Sequence, residues 1–157
     1  MNQTKVLMVC LGNICRSPLA EGILKSKLNT DNFEVDSAGT SATHAGELPD
    51  SRSIKVAQQN QIDISNQRSR PFNKNDFDEF DLIYVMDQQN YSNVVSLAKT
   101  EEHRKKVSLI LNTIHPKTDA EVPDPYYGGQ NGFKNVFSML NEACKEIANQ
   151  LQNNGDA

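Results

Sequence analysis

The sequence predicts an α/β fold: a single three-layer domain in which helices cover both faces of a four-stranded parallel sheet. Short apolar runs of strand length alternate along the chain with longer segments of helical periodicity, as in proteins built from strand–helix–strand units. Residues 80–86 are almost continuously apolar, which is typical of a parallel strand buried on both faces. The length of 157 residues fits one domain, spanning 1–157, with a single core.

The predicted elements alternate regularly. The strands cover residues 5–9, 33–36, 80–86 and 107–111, and the helices cover residues 18–28, 50–59, 88–98 and 132–151. Asp50 and Asp87 are predicted to cap the helices that follow them. Residues 112–132 form a loop whose length is typical of functional loops, and residues 153–157 form a frayed polar tail.

The first strand runs into a motif that indicates anion binding, Val9-Cys10-Leu11-Gly12-Asn13-Ile14-Cys15-Arg16-Ser17-Pro18. A short turn that enters a helix points its N–H groups inward, and the positive end of the helix dipole lies behind them. Arg16 supplies a planar fork that suits two oxygens of one phosphoryl group. These positive groups favour a thiolate, which makes Cys10 a candidate nucleophile.

Backbone preferences add detail to this motif. Gly12 permits a backbone angle that most residues resist, and Asn13 is the next most tolerant type for a left-handed turn position. Ser17 is expected to cap the helix and to hydrogen-bond the Cys10 sulfur, with Pro18 at the first helical position. Taken alone, a cysteine and an arginine at this spacing are weak evidence, and a loop that binds phosphate without chemistry stays open. No Gly-Lys-Ser/Thr follows the glycine, and only one glycine is present, which excludes a Walker loop and a dinucleotide fingerprint.

A second motif, Glu121-Val122-Pro123-Asp124-Pro125-Tyr126-Tyr127, lies far away in the sequence. Its two prolines hold Asp124 in a loop, where a carboxyl group can serve as a general acid. Tyr126 and Tyr127 are candidates for an aromatic wall beside a flat substrate ring. Alone, the motif is more typical of a simple turn, but together with the nucleophile motif it favours catalysis.

The two motifs, together with residues 36–40 and 83–87, resemble the low-molecular-weight protein tyrosine phosphatase family over nearly the whole chain. The resemblance implies a metal-independent hydrolase without a cofactor, in which Cys10 attacks the phosphorus of phosphotyrosine. Asp124 would protonate the leaving group and then activate water against the cysteinyl-phosphate. The phosphate oxygens would be held by the Arg16 side chain and by the amides of Leu11, Gly12, Asn13, Ile14, Cys15 and Arg16.

The resemblance also implies supporting roles and three departures from the family pattern. Asn13 would brace the loop, and Ser17 would assist the thiolate. Gln67, or alternatively Asn66, stands where many members carry a histidine that hydrogen-bonds the Asn13 position. Thr43 stands where many members carry an aromatic cleft residue. Arginine-phosphatase relatives tend to carry threonine at the Ile14 position, so Ile14 favours phosphotyrosine.

Three other functions are weighed on the same residues. A protein arginine phosphatase shares the motif apart from Ile14. An arsenate reductase needs relay cysteines, and only Cys144, on the apolar side of the last helix, lies outside the loop. A non-catalytic phosphotyrosine-binding module would lack the Cys10 thiol or the Asp124 carboxyl, and both are present.

Composition agrees with an intracellular enzyme. An odd set of three cysteines without a secretory signal predicts a cytoplasmic location, where Cys10 and Cys15 could close a reversible disulfide under oxidants. A net charge of −4 and the strand-sized apolar runs indicate neither a nucleic acid nor a membrane partner. Without a close His/Cys cluster, no metal site is predicted. The expected partners are phosphotyrosine-containing proteins, and the expected state is a monomer or weak dimer.

Overall fold

The computed structural model describes residues 3–127 and 129–155, and it confirms the predicted fold class. Four parallel strands form one sheet in the order β2-β1-β3-β4. The strands are β1 (Thr4–Cys10), β2 (Phe33–Gly39), β3 (Leu82–Val85) and β4 (Val107–Leu109). The helices are α1 (Arg16–Lys27), α2 (Ser51–Gln59), α3 (Asp76–Glu79), α4 (Gln88–Val95), α5 (Glu101–Lys105) and α6 (Gly129–Gly155).

Strand β1 is central and carries apolar side chains to both faces of the sheet. Val6 and Met8 point into a core shared with α1, α2 and α6, whereas Leu7 and Val9 point into a second core that includes Phe77 of α3. Successive side chains of a strand alternate between faces, so Cys10 lies on the same face as Val6 and Met8, toward α1. The end of β1 therefore delivers the cysteine to the carboxyl edge of the sheet beside the start of α1.

The differences from the predicted elements lie in their ends and in two short helices. The helices α3 and α5 were not predicted, since four or five residues are too few to show a helical period. Helix α4 ends at Val95 rather than near 98, and α6 starts at Gly129 rather than 132. A 3-10 turn, Pro125–Tyr127, interrupts the predicted long loop. Helix α6 continues through the first residues of the predicted tail to Gly155, and residues 156–157 lie outside the described residues.

Both predicted aspartate caps are confirmed. The Asp50 side chain accepts a hydrogen bond from the Arg52 amide at 2.8 Å, and the Asp87 side chain accepts one from the Asn90 amide at 2.8 Å. Each carboxylate thus satisfies an otherwise unpaired donor of the first helical turn. Because Asp87 follows β3 directly, the cap also brings its carboxylate to the edge of the sheet where β1 ends.

Candidate active site

The segment from Cys10 to Arg16, called the cysteine loop below, is anchored through its carbonyl groups. Each anchored carbonyl accepts a hydrogen bond from a neighbouring segment, which turns the oxygens outward. The pairs are Cys10 O with Thr40 N at 2.9 Å, Leu11 O with Ser41 N at 2.9 Å, Gly12 O with Ser69 Oγ at 2.9 Å and Ile14 O with Asp50 N at 2.7 Å. Gly39 permits this close approach, since a Cβ there would lie 2.9 Å from Leu11 O.

The amides of the cysteine loop are left for another acceptor. Among the described residues, no amide from Leu11 to Arg16 donates a hydrogen bond to a protein atom. A loop whose carbonyls at Cys10, Leu11, Gly12 and Ile14 are bonded on the outside, and whose amides are unused, is a concave set of donors, which binds oxyanions. This arrangement agrees with the anion-binding role predicted for these residues.

Asn13 is the residue that holds the loop in this shape. It has φ 56°, in the left-handed region, and is almost fully buried. Its Nδ2 donates to Ser17 Oγ at 2.7 Å and to Ser37 Oγ at 2.9 Å, and its Oδ1 accepts from the Arg70 amide at 3.1 Å. Of the two tolerant residues, Asn13 and not Gly12 takes the left-handed conformation. At Gly12 a Cβ would lie 3.0 Å from the His44 ring, so a larger residue there would have to displace that side chain slightly.

Ser17 does not cap α1, contrary to the prediction. The helix begins at Arg16 with Cys15 at the cap position and no side-chain cap, and Pro18 is its third residue. The Ser17 hydroxyl instead lies 3.1 Å from Cys10 Sγ. Because Ser17 Oγ accepts from Asn13 Nδ2, its single proton is free to donate to the sulfur. The predicted Ser17–Cys10 contact is thus confirmed, and its direction follows from Asn13.

Arg16 is buried and braced from two sides. Its Nη1 donates to Asp87 Oδ2 at 2.8 Å and to the Val122 carbonyl at 2.9 Å. Burial opposes the charged form, but the nearby Cys10 and the hydrogen bond to Asp87 outweigh it and raise the pKa of Arg16. Asp87 was predicted only as a helix cap. Its second role could have been read from its place at the end of β3, beside Cys10.

Asp124 lies at the mouth of the cleft above the cysteine loop. Its Oδ1 accepts the Tyr126 amide at 3.0 Å, and its Oδ2 lies 3.9 Å from Arg16 Nη2. One oxygen is thus used to hold the loop, and the other faces the cleft. The motif therefore forms the predicted turn, and the same turn places the predicted Asp124 carboxyl group in the cleft.

The cleft itself has a volume of about 330 Å³, in the range of sites for small molecules. Cys10 lies at its floor and is only 2% exposed. Its lining consists of Cys10, Leu11, Gly12, Ile14, Cys15, Arg16, Ser41, Thr43, His44, Asp124 and Tyr126. Thr43 and Tyr126 line the cleft as predicted, whereas the side chain of Tyr127 lies outside the described part of the chain. Thr43 Oγ1 is 2.7 Å from Ser41 Oγ, so this wall is polar.

The structure gives no hydrogen bond between Gln67 and the Asn13 side chain, although an amide at the position of Gln67 could make one. Gln67 Nε2 donates to the Pro18 carbonyl at 3.0 Å. Both donors of the Asn13 amide are taken by Ser17 and Ser37. Gln67 therefore supports the start of α1. A serine on β2, Ser37, makes a hydrogen bond with the Asn13 side chain instead. Ser37 belongs to the segment 36–40 and pairs with Met8 of β1, a position that could have identified it.

Ser37 links the cysteine loop to a buried carboxylate. Its hydroxyl accepts from Asn13 and donates to Glu21 Oε1 at 2.6 Å, and Lys25 Nζ donates to Glu21 Oε2 at 2.6 Å. Burial raises the pKa of Glu21, although Lys25 and Ser37 act in the opposite direction. Glu21 was not predicted as a supporting residue, because nothing in the motif indicates which helical side chain meets β2.

The other two cysteines are poor nucleophiles. Burial, with help from Asp50 and Cys10, raises the pKa of Cys15 to about 12. Burial in the core likewise raises the pKa of Cys144 to about 12, and its thiol lies 3.7 Å from the Ala20 carbonyl. All three cysteines are free in the structure.

Two other kinds of feature are absent from residues 3–127 and 129–155. No group of three or more His, Cys, Asp or Glu side chains is arranged to hold a metal ion. No described helix is both long and apolar enough to cross a membrane.

The fold and the loop together define a class of protein: an α/β protein in which a loop of unused amides surrounds a buried thiol, with a carboxyl group in the same cleft. Comparison with known proteins identifies the family within this class. The family model described as "Low molecular weight phosphotyrosine protein phosphatase" matches residues 5–157. A relative of that name from Dictyostelium discoideum is 34% identical over 170 residues, covering 96% of this chain and 95% of its own.

Solved structures agree with the family match. A protein tyrosine phosphatase from Entamoeba histolytica has a TM-score of 0.90 at 37% identity, covering 98% of this chain and 99% of its own. YwlE from Bacillus subtilis has a TM-score of 0.84 at 27% identity, covering 96% and 99%. This chain belongs to the low molecular weight phosphotyrosine protein phosphatase family.

Proposed function

We propose that this protein hydrolyses phosphotyrosine in proteins through a covalent phosphate on Cys10. One observation carries the proposal: the buried Cys10 lines one cleft together with the loop of unused amides, Arg16 and Asp124. Each of the three groups has a separate task, and each task follows from its contacts.

In the first step, the Cys10 sulfur attacks phosphorus in line with the ester oxygen. The S–P bond forms as the P–O bond to the tyrosine ring breaks, and the leaving phenolate takes the proton of Asp124. Asp124 Oδ2 carries that proton, since Oδ1 is engaged by the Tyr126 amide. The amides of Leu11 to Arg16 and the Arg16 guanidinium stabilise the equatorial oxygens, where charge is greatest in the transition state.

In the second step, Asp124 accepts a proton from water while the water oxygen attacks phosphorus. The S–P bond breaks, inorganic phosphate forms, and the Cys10 thiolate is restored. Ser17 stabilises that thiolate, because its hydroxyl proton points to the sulfur. In one structure of the YwlE arginine phosphatase, a serine that replaces cysteine in the active site is phosphorylated, which supports a covalent intermediate in this fold.

The cleft favours an aromatic monoester. The Tyr126 ring lines it, and Leu11 is an exposed apolar side chain at the same mouth. Because the sulfur lies at the floor, a substrate must carry its phosphate on a long, narrow group, and a tyrosine ring meets that need where a serine does not.

A protein arginine phosphatase is the second candidate, since YwlE shares the fold. Ile14 lines the cleft with an apolar side chain and offers no hydroxyl to a guanidino group, which favours phosphotyrosine. An arsenate reductase is disfavoured because Cys144, the cysteine outside the loop, is fully buried and its thiol pKa is high.

The proposed setting is the cytoplasm, where a catalytic thiol stays reduced, and the three free cysteines support this. A monomer or weak dimer stays the predicted state, and size-exclusion chromatography with light scattering measures it.

The test compares one peptide bearing phosphotyrosine, phosphoserine or phosphoarginine, each with and without EDTA. We expect hydrolysis of phosphotyrosine to be the fastest by at least tenfold, to survive EDTA and to disappear in Cys10→Ser. Cys144→Ser, which changes a thiol outside the cleft, is the matched control and keeps activity. Faster release from phosphoarginine would replace the proposal with the second candidate.

A further inference from the structure

Arg52, in the first turn of α2, lies outside the groups described above but is fixed relative to the cysteine loop. Its Nε and Nη2 donate to the two carboxylate oxygens of Asp50, each at 3.0 Å. The Asp50 amide in turn donates to the Ile14 carbonyl at 2.7 Å. A guanidinium bound at two points has a defined plane, so the orientation of Arg52 is set by the loop itself.

The guanidinium also contacts two aromatic rings. Its central carbon lies 4.5 Å from the centroid of Phe133, a fully buried residue of α6, and 5.3 Å from the centroid of Tyr126. Both distances fall within the range of cation–π attraction. Phe133 is fixed in the core, whereas the Tyr126 ring is 42% exposed on a short 3-10 turn. Arg52 therefore links the exposed ring of Tyr126 to the fixed ring of Phe133.

We propose that Arg52 is a positioning residue that holds the Tyr126 ring as a wall of the cleft and thereby sets the affinity for aromatic phosphate monoesters. This inference rests on the proposed phosphatase function. The ring contributes to substrate binding only when it lies along the cleft, and a substrate would otherwise have to order it at an entropic cost. Arg52 orders the ring in advance, through Asp50 on one side and Phe133 on the other.

The proposal requires arginine and not merely a positive charge. Lysine would keep the charge near Tyr126 but would lose the two-point contact with Asp50 and the contact of the guanidinium with the Phe133 ring. Methionine would keep the length and apolar stem of the side chain while losing both charge and fork. The two substitutions therefore separate the charge of Arg52 from its geometry.

The experiment measures KM and kcat for phenyl phosphate, together with the inhibition constant of inorganic phosphate, which reads the cysteine loop alone. For Arg52→Met we expect KM to rise about two- to fivefold, the worth of an exposed cation–π contact, while the phosphate inhibition constant stays unchanged. The KM of Arg52→Lys should lie between the values for the wild type and Arg52→Met. Arg104→Met, which removes an exposed arginine paired with Glu101 on α5, is the control and leaves all three values unchanged.

A double-mutant cycle with Tyr126→Leu tests whether Arg52 acts through the ring. We expect Arg52→Met to raise KM no further once Tyr126 is replaced. Equal effects of Arg52→Met in both backgrounds, an unchanged KM, or a parallel rise in the phosphate inhibition constant would each overturn the proposal. If Arg52→Met does not fold, Arg52→Lys serves in the same cycle.

Failure of this inference and of the proposed function are distinguishable. If the wild-type protein does not hydrolyse phenyl phosphate, the proposed function fails and the inference fails with it. If the wild type is active and the Arg52 variants match it, only the inference fails.

Discussion

Replacement of Asn13 by alanine should be among the most damaging substitutions outside the reacting groups. Alanine removes three hydrogen bonds, to Ser17, Ser37 and the Arg70 amide. At about 1 kcal/mol each, their loss costs about 3 kcal/mol. Alanine also tolerates φ 56° less well than asparagine, which adds about 1 kcal/mol. The expected loss in free energy of unfolding is therefore about 4 kcal/mol, a large part of the stability of such a domain.

Asn13→Gly provides the matched control, because glycine removes the same hydrogen bonds but accepts the positive φ. In urea denaturation, Asn13→Gly should be about 1 kcal/mol more stable than Asn13→Ala. Both variants should also lose activity on phenyl phosphate, since Ser17 is no longer turned toward Cys10. Equal stability of the two variants would refute the role of backbone strain, and a loss below about 1 kcal/mol in both would refute the bracing role of the side chain.

Three further predictions concern other groups of the site. Asp124→Ala should slow hydrolysis of phenyl phosphate by roughly 10²–10⁴-fold but p-nitrophenyl phosphate much less, because a good leaving group needs no proton; equal losses on both would contradict the general-acid role. Burial raises the pKa of Cys15 and Cys144 to about 12, so iodoacetamide at pH 8 should leave both thiols unmodified in the native protein. Peptide mass spectrometry measures this, and modification of either cysteine at the rate of a free thiol would contradict it. The raised pKa of Glu21 means that the native state binds its proton more tightly than the unfolded state, so stability falls as pH rises from its ordinary value of 4.5 through the higher native pKa. In urea denaturation, the free energy of unfolding of Glu21→Gln should lack this fall with pH. Parallel pH profiles of that free energy in the wild type and Glu21→Gln would contradict the prediction.

The sequence indicated three residues that meet in the cleft, because each lies in a local motif. Cys10 and Arg16 are joined by one turn, and the prolines beside Asp124 restrict its backbone whatever the rest of the fold does. Parallel strands bring their carboxyl ends to one edge, so the meeting of these motifs follows from the strand–helix alternation. The two aspartate caps were predictable for the same local reason.

The supporting residues were harder to predict because they depend on tertiary contacts. Ser37 and Glu21 meet Asn13 only through the register of β1 on β2 and the packing of α1. Local preference left both Gly12 and Asn13 as candidates for the left-handed conformation, and the side-chain hydrogen bonds of Asn13 stabilise it at that residue. Likewise, Ser17 has the right type for a helix cap, but Cys10 and Asn13 compete for its hydroxyl.

The central claim is that phosphate passes through the sulfur of Cys10, and trapping of the intermediate tests it most directly. The wild-type enzyme and Asp124→Ala would be mixed with ³²P-labelled aryl phosphate, quenched within one turnover and digested for peptide mass spectrometry. We predict a phosphocysteine at Cys10 that lasts longer in Asp124→Ala, since that variant lacks the base for the second step. Turnover with the label on another residue, or with no labelled peptide in either enzyme, would contradict the account.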